Sequence, residues 1–293
     1  MVTGGTTGGP PGTTPPAPAA SGKSSWRILP PGGERTVQRK RGFVLGVFSA
    51  KGGVGKTTTV SNLGAALAQK KRGKVLIMET NMTASNLGLY LGVVDPPVVV
   101  QDLVYGRVRP EEAILKTPYG LHLLPGSVAY TDEVTAVDFS PLTEALRRKY
   151  EVIILDTAPG FAPEVTAAMR VCDSILVCCQ PQVPAIAGTL QTLRMAERLK
   201  VPVLCCVLTR VTGRRWEIPL PEIRRTLGWP ALAEIPEDEA VPESITRGTP
   251  VVLWAPRSPA AVGYLKLAEQ LLSHLRRRKA RKGVKKVKRG SRR

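Results

Sequence analysis

The chain has 293 residues, with 42 Lys and Arg against 23 Asp and Glu and a formal net charge of +19. At 43% hydrophobic residues it can bury a sizeable core, which excludes wholesale disorder. No apolar run approaches the ~18–20 residues of a membrane-crossing helix, and Cys172, Cys178, Cys179, Cys205 and Cys206 lack the spacing of a disulfide framework or a zinc or iron–sulfur site.

The charge lies at the ends. Residues 276–293, opening on Arg276 and closing on Arg293, carry 12 Lys and Arg and no acid. The first 42 residues carry six against one acid, which leaves residues 43–275 at a net +2. Residues 1–41 are rich in Gly, Pro, Thr and Ser and are expected to form a disordered tail. No apolar core of a secretory signal follows Met1, and the expected location is cytoplasmic. Residues 42–275 are expected to form one domain, and residues 276–293 a second, basic tail.

Along that domain, apolar runs at 43–48, 74–78, 121–124, 152–155, 174–179, 201–208 and 232–235 predict strands. The runs are continuous rather than alternating, as in strands buried on both faces of a mainly parallel sheet. Helical periodicity lies between them. Val60, Leu63 and Leu67 recur at helical spacing within 56–69, and Leu265, Ala268, Leu272 and Leu275 do so within 259–275. The pattern predicts an α/β fold with a doubly wound, mainly parallel sheet.

The first strand leads into Ser49-Ala50-Lys51-Gly52-Gly53-Val54-Gly55-Lys56-Thr57-Thr58 and then the first helix. Strand, glycine-rich turn and helix start are what a phosphate-binding loop requires. Gly52, Gly53 and Gly55 let backbone N–H groups close on a phosphate, with Val54 and Thr58 completing the wrap. Lys56 supplies a charge to the outer phosphates, and the Thr57 hydroxyl is a ligand for Mg²⁺. After the run at 152–155, Asp156-Thr157-Ala158-Pro159-Gly160 puts an acid at a strand end, where it can hold a metal's hydration shell.

The loop departs from the general G-x-x-x-x-G-K-[ST] pattern. Position 50 is Ala rather than Gly, and Lys51 stands directly before the glycines. This resembles the deviant Walker A motif, K-G-G-x-G-K-T-T, of the MinD/ParA family of dimerising ATPases, and the wider pattern is similar to archaeal MinD proteins. The resemblance covers roughly residues 43–275. It implies a P-loop NTPase fold of the SIMIBI type, ATP and Mg²⁺ as cofactors, and an ATP-state homodimer in which Lys51 reaches the partner's nucleotide. Asp156 then belongs to the Walker B and switch II segment. Thr209-Arg210 takes the place of the family's Asn-Arg, and Pro236 and Glu237 fall in its base-binding loop. A hydroxyl at Thr209 offers fewer hydrogen bonds than an amide, so base reading is expected to rest largely on backbone groups around Pro236 and Glu237.

One further departure bears on turnover. The family carries D-x-D after its second strand, and this chain has Glu79 and Asn81 in those places. Asn81 replaces the acid that the family uses near Mg²⁺ and the attacking water. An amide can orient water but neither balances charge nor accepts a proton. Weak ATP hydrolysis to ADP and phosphate is therefore expected, with a non-hydrolysing, ATP-locked scaffold as the alternative; Glu79 is the one residue placed to substitute. The family positions division sites, chromosomes or surface machinery through a protein partner, which this sequence leaves unidentified. For residues 276–293 the readings are non-specific nucleic acid or an anionic membrane surface, placing the protein peripherally at nucleoid or membrane. Val284 and Val287 are the only larger apolar side chains there, which tilts the reading toward nucleic acid.

Overall fold

A computed structural model describes residues 41–129, 137–228 and 232–290. The tail expected over residues 1–41 lies outside them apart from Arg41, as do residues 291–293 of the basic end.

The chain opens with β1 (Phe43–Phe48), α1 (Lys56–Lys70) and β2 (Val75–Glu79), then α2 (Val100–Val104), α3 (Pro110–Ala113), β3 (Leu115–Lys116) and β4 (Leu121–Leu124). Next come α4 (Ser140–Leu146), β5 (Val152–Asp156), α5 (Pro163–Arg170), β6 (Ser174–Cys179) and α6 (Val183–Arg198). The last third holds β7 (Val203–Val211), α7 (Leu220–Leu227), β8 (Leu232–Pro236), α8 (Ala240–Thr246), α9 (Val251–Trp254) and α10 (Pro259–Gly290).

The strands form one sheet in the order β3-β4-β2-β5-β1-β6-β7-β8. All pairings are parallel except β3 with β4, a two-residue edge contact too short to read from sequence. The continuous apolar runs are explained by helices on both faces. Leu45 and Val47 of β1 point into one core with α1 and α10, while Val44 and Phe48 point into the other with α4, α5 and α6. Since β1 lies between β5 and β6, its carboxyl end opens where the winding reverses, the place such sheets bind ligands.

One expectation needs correction. The buried stripe of α10 runs through Tyr264, Leu267, Ala268, Leu271 and Leu275, with Leu265 and Leu272 only flanking it. Past Leu275 the helical backbone of α10 continues to Gly290. Arg, Lys and Ala favour helix, no proline interrupts, and a helix already nucleated by packing needs no second nucleus. The start of that segment is also held to the body. Arg278 binds Asp173 at 2.6 Å and lies 4.7 Å over the Phe43 ring, and Lys279 binds Glu151 at 2.9 Å.

Candidate nucleotide site

The glycine-rich loop sits between the carboxyl end of β1 and the first turn of α1. Gly53 and Gly55 adopt φ of 73° and 83°, which a side chain would strain. A Cβ on Gly53 would meet no protein atom within 4 Å, so the space beside it is open to a ligand. Lys56 is buried, and its Nζ donates to Ser49 Oγ at 3.0 Å, folding the ammonium back over the loop. Burial lowers its pKa, against the opposing charge of Asp156. Lys51, by contrast, is exposed and does not line the cavity in front of the loop.

That cavity encloses about 530 Å³, within the ~300–1,000 Å³ of small-molecule sites. One end is built by Gly52, Gly53, Gly55, Lys56, Thr57 and Thr58. Asn81 and Asn86 close it from the loop after β2, and Thr209, Arg210, Pro236 and Glu237 form the far end. The sequence-predicted residues therefore converge on one cavity, with Asp156 directly behind it, except for Lys51 and for Val54, whose side chain is buried in the core.

Asp156 ends β5 and pairs in register with Glu79, the last residue of β2. Both are buried. Burial pushes the Asp156 carboxyl above its usual range, with the Thr57 hydroxyl and Lys56 partly offsetting it. Its Oδ1 has no hydrogen-bond partner among the described residues. A buried, unsatisfied carboxylate oxygen beside the Thr57 hydroxyl is the donor set a hydrated Mg²⁺ takes, so the residues fit that ion. Asn86, whose Oδ1 accepts from Thr57 Oγ1 at 3.3 Å, completes the group.

Glu79 is not placed to replace the missing acid. Its carboxylate accepts from the N–H groups of Asn81, Asn86 and Leu87 at 2.9, 3.0 and 3.1 Å, tying the loop after β2 to the sheet. Burial and then the neighbouring Asp156 raise its pKa, while those three bonds oppose the rise. Asn81 faces the cavity and closes a local turn, its Nδ2 donating to Ala84 O at 2.8 Å and its Oδ1 accepting from Ala84 N–H at 3.2 Å. Among the described residues no other acid lines the phosphate end. Glu237 and Asp238 lie at the far end, bound to Arg210 and to the N–H groups of Ala240 and Ala260.

The expected base-reading groups are also engaged elsewhere. The Thr209 hydroxyl points inward, 2.7 Å from Val54 O and 3.1 Å from Cys179 O, and so braces the glycine loop. The Glu237 N–H donates to Val211 O at 3.0 Å, and the Glu237 carboxylate takes the Arg210 guanidinium in two bonds of 2.8 and 2.9 Å. What remains at that end is the apolar wall of Ile235, Pro236, Val241 and Ile245, with Tyr90 and Tyr264 beside it. Of this wall, sequence reasoning named only Pro236.

The profile described as the CobQ/CobB/MinD/ParA nucleotide binding domain matches residues 45–251. The chain is 31% identical over 222 residues to the septum site-determining protein MinD of Thermotoga maritima, covering 72% of this chain and 82% of that one. The cell division ATPase MinD of Pyrococcus furiosus superposes with a TM-score of 0.74 at 31% identity, over 79% of this chain and 99% of that one. MinD of Pyrococcus horikoshii, solved as a complex with Mg-ADP, gives 0.73 at 29% identity over 78% and 95%.

Proposed function

The chain belongs to the MinD/ParA family of nucleotide-binding ATPases, and we propose that it is an ATP-dependent dimerising switch that positions another cellular component through a protein partner. The observation that carries this reading is the convergence of the glycine loop, Lys56, Thr57 and Asp156 on one cavity. The backbone from Gly52 to Gly55, with Lys56 and Thr58, holds the phosphates. Thr57 and Asp156 hold Mg²⁺, which when bound neutralises charge between the outer phosphates. Asn86 orients the Thr57 hydroxyl.

Lys51 is solvent-exposed beside the loop and does not line its own cavity, which leaves it free to serve a second copy. ATP therefore closes a homodimer across the carboxyl edge of the sheet. Asn81 offers the attacking water an amide where a carboxylate would accept its proton, so turnover of ATP and water to ADP and phosphate is slow and the ATP-bound dimer is long-lived. Among the described residues no helix is long and apolar enough to cross a membrane. The location that goes with the switch reading is the cytoplasm, at a surface the basic segment selects.

Calorimetric titration with Mg-ATP tests the site. Wild type is expected to bind one ATP per chain, and Lys56→Ala to lose most of the affinity, since a buried charged partner of phosphate is worth about 2–5 kcal/mol. Equal affinity in the two proteins would place the nucleotide elsewhere.

A further inference from the structure

The loop that follows β2, residues 80–87, brings Asn81, Ala84 and Asn86 to the cavity. Its two ends are seated on opposite faces of the sheet. Leu87 is buried in the core with α1 and α10, and Met82 in the core with α4, α5 and α6. Between them Thr83, Ala84 and Asn86 are exposed. Backbone donors at such a place need acceptors, and one buried side chain takes three of them. Glu79 Oε1 accepts from Asn81 N–H at 2.9 Å, and its Oε2 accepts from Asn86 and Leu87 N–H at 3.0 and 3.1 Å. A single carboxylate thus ties both ends of the loop together from the sheet side.

Room for that carboxylate is left by a glycine. A Cβ on Gly126, just past β4, would fall 2.6 Å from Glu79 Cγ and 2.2 Å from Ser85 Oγ. The two side chains therefore occupy the place that a larger residue would take. Ser85 Oγ in turn donates to Asn81 O at 2.7 Å, and Gln101 Nε2 donates to Met82 O at 3.1 Å. Those bonds fix the first half of the loop. The second half, which carries Asn86, is held by Glu79.

The place of Asn86 matters through Thr57. Asn86 Oδ1 accepts from Thr57 Oγ1 at 3.3 Å. A hydroxyl ligates a cation through a lone pair and must give its proton to another acceptor. The Asp156 carboxylate also faces this hydroxyl. Once that carboxylate serves a cation, Asn86 is the acceptor left for the proton. The orientation of the Thr57 lone pairs then follows from where Asn86 sits, and Glu79 sets that. Glu79 itself does not line the cavity.

We propose that Glu79 is a positioning residue for Mg²⁺, which holds Asn86 in place and so aims the Thr57 hydroxyl at the cation. The proposal rests on the nucleotide reading above and divides the work within one loop. Asn81 bears on turnover, and Glu79 on how much Mg²⁺ adds to the grip on ATP. Glu79→Gln is the matched substitution. The amide has the same size, but its NH₂ meets N–H donors, so one end of the loop loses its acceptor.

Calorimetric titration of the full chain with ATP, once in excess Mg²⁺ and once in EDTA, tests it. Wild type is expected to bind in both and more tightly with Mg²⁺. Glu79→Gln should match wild type in EDTA, because the glycine loop and Lys56 are untouched. It is expected to lose about 10-fold or more of the gain that Mg²⁺ brings, the usual effect of removing a group behind a metal ligand. Glu79→Asp, which keeps both acceptor oxygens on a shorter arm, should recover part of that gain. Asn86→Ala, at an exposed position, should show the same selective loss, and the double variant with Glu79→Gln should lose no more than either single one. An undiminished gain from Mg²⁺ in Glu79→Gln would overturn the proposal. So would an equal loss with and without Mg²⁺, which would make Glu79 a prop of the fold, or full additivity in the double variant. A wild type that binds no ATP in either condition would overturn the nucleotide reading itself.

Discussion

Asn81→Asp is expected to release phosphate from Mg-ATP about 10²–10⁴-fold faster than wild type, the range a positioned general base or comparable group contributes. The expectation rests on what surrounds position 81. The nearest acid, Glu79, spends its carboxylate on three backbone N–H groups, and Asp156 lies behind the cavity rather than in its lining. Among the described residues the acids that line it, Glu237 and Asp238, are at the far end and engaged there. The substituted carboxylate can still accept from Ala84 N–H and Thr83 Oγ1 as the amide oxygen does, losing only the Nδ2 donation to Ala84 O. The turn should survive and ATP affinity should change little. Wild type releasing phosphate as fast as Asn81→Asp would mean that another group activates the water.

Arg147→Ala is expected to destabilise the fold by about 3–5 kcal/mol, the cost of breaking a buried ion pair from one side, out of the ~5–15 kcal/mol that holds a typical domain together. Arg147 is 7% exposed and sits where α4, β1 and β6 meet. Its guanidinium donates to Gly42 O at 2.9 Å, to Val171 O at 2.8 Å and to the Asp173 carboxylate. Burial opposes ionisation of Asp173, but bonds from Arg278, Val44 N–H and Arg147 outweigh it and hold the carboxyl below its usual range. Truncation strands two buried carbonyls and leaves Asp173 with one cation in place of two. Arg147→Lys should recover only part of the loss, because one ammonium cannot span three acceptors in a fixed plane. Chemical denaturation of the three proteins measures it, and a loss below about 1 kcal/mol would show that water replaces the guanidinium at little cost.

The phosphate loop was legible in the sequence because its chemistry is contiguous: glycines, lysine and threonine act within ten residues at a strand end. Asp156 was legible for the same reason, as an acid directly after a buried run. The sheet followed from runs that are apolar on both faces. What escaped reading depends on distant partners. Thr209 looks like a base reader until its hydroxyl is found bracing a loop 155 residues earlier in the chain. Glu79 looks like a spare catalytic acid until three amides of the next loop claim it. The segment after Leu275 reads as a basic tail, and only Asp173 and Glu151, 105 and 128 residues earlier than the side chains they hold, show its start held to the body. The wall with Tyr90, Ile245 and Tyr264 gathers three separated segments, and no spacing within any of them announces a shared cavity.

Under the proposed function, ATP closes two copies of this chain across the loop that carries Lys51. Light scattering on the full-length protein in saturating Mg-ATP, beside Mg-ADP, measures this. The expected mass doubles from 31.5 kDa in ATP and stays single in ADP, with Lys51→Ala remaining single although it still binds ATP. A wild-type chain that binds ATP and keeps the single-copy mass would contradict it.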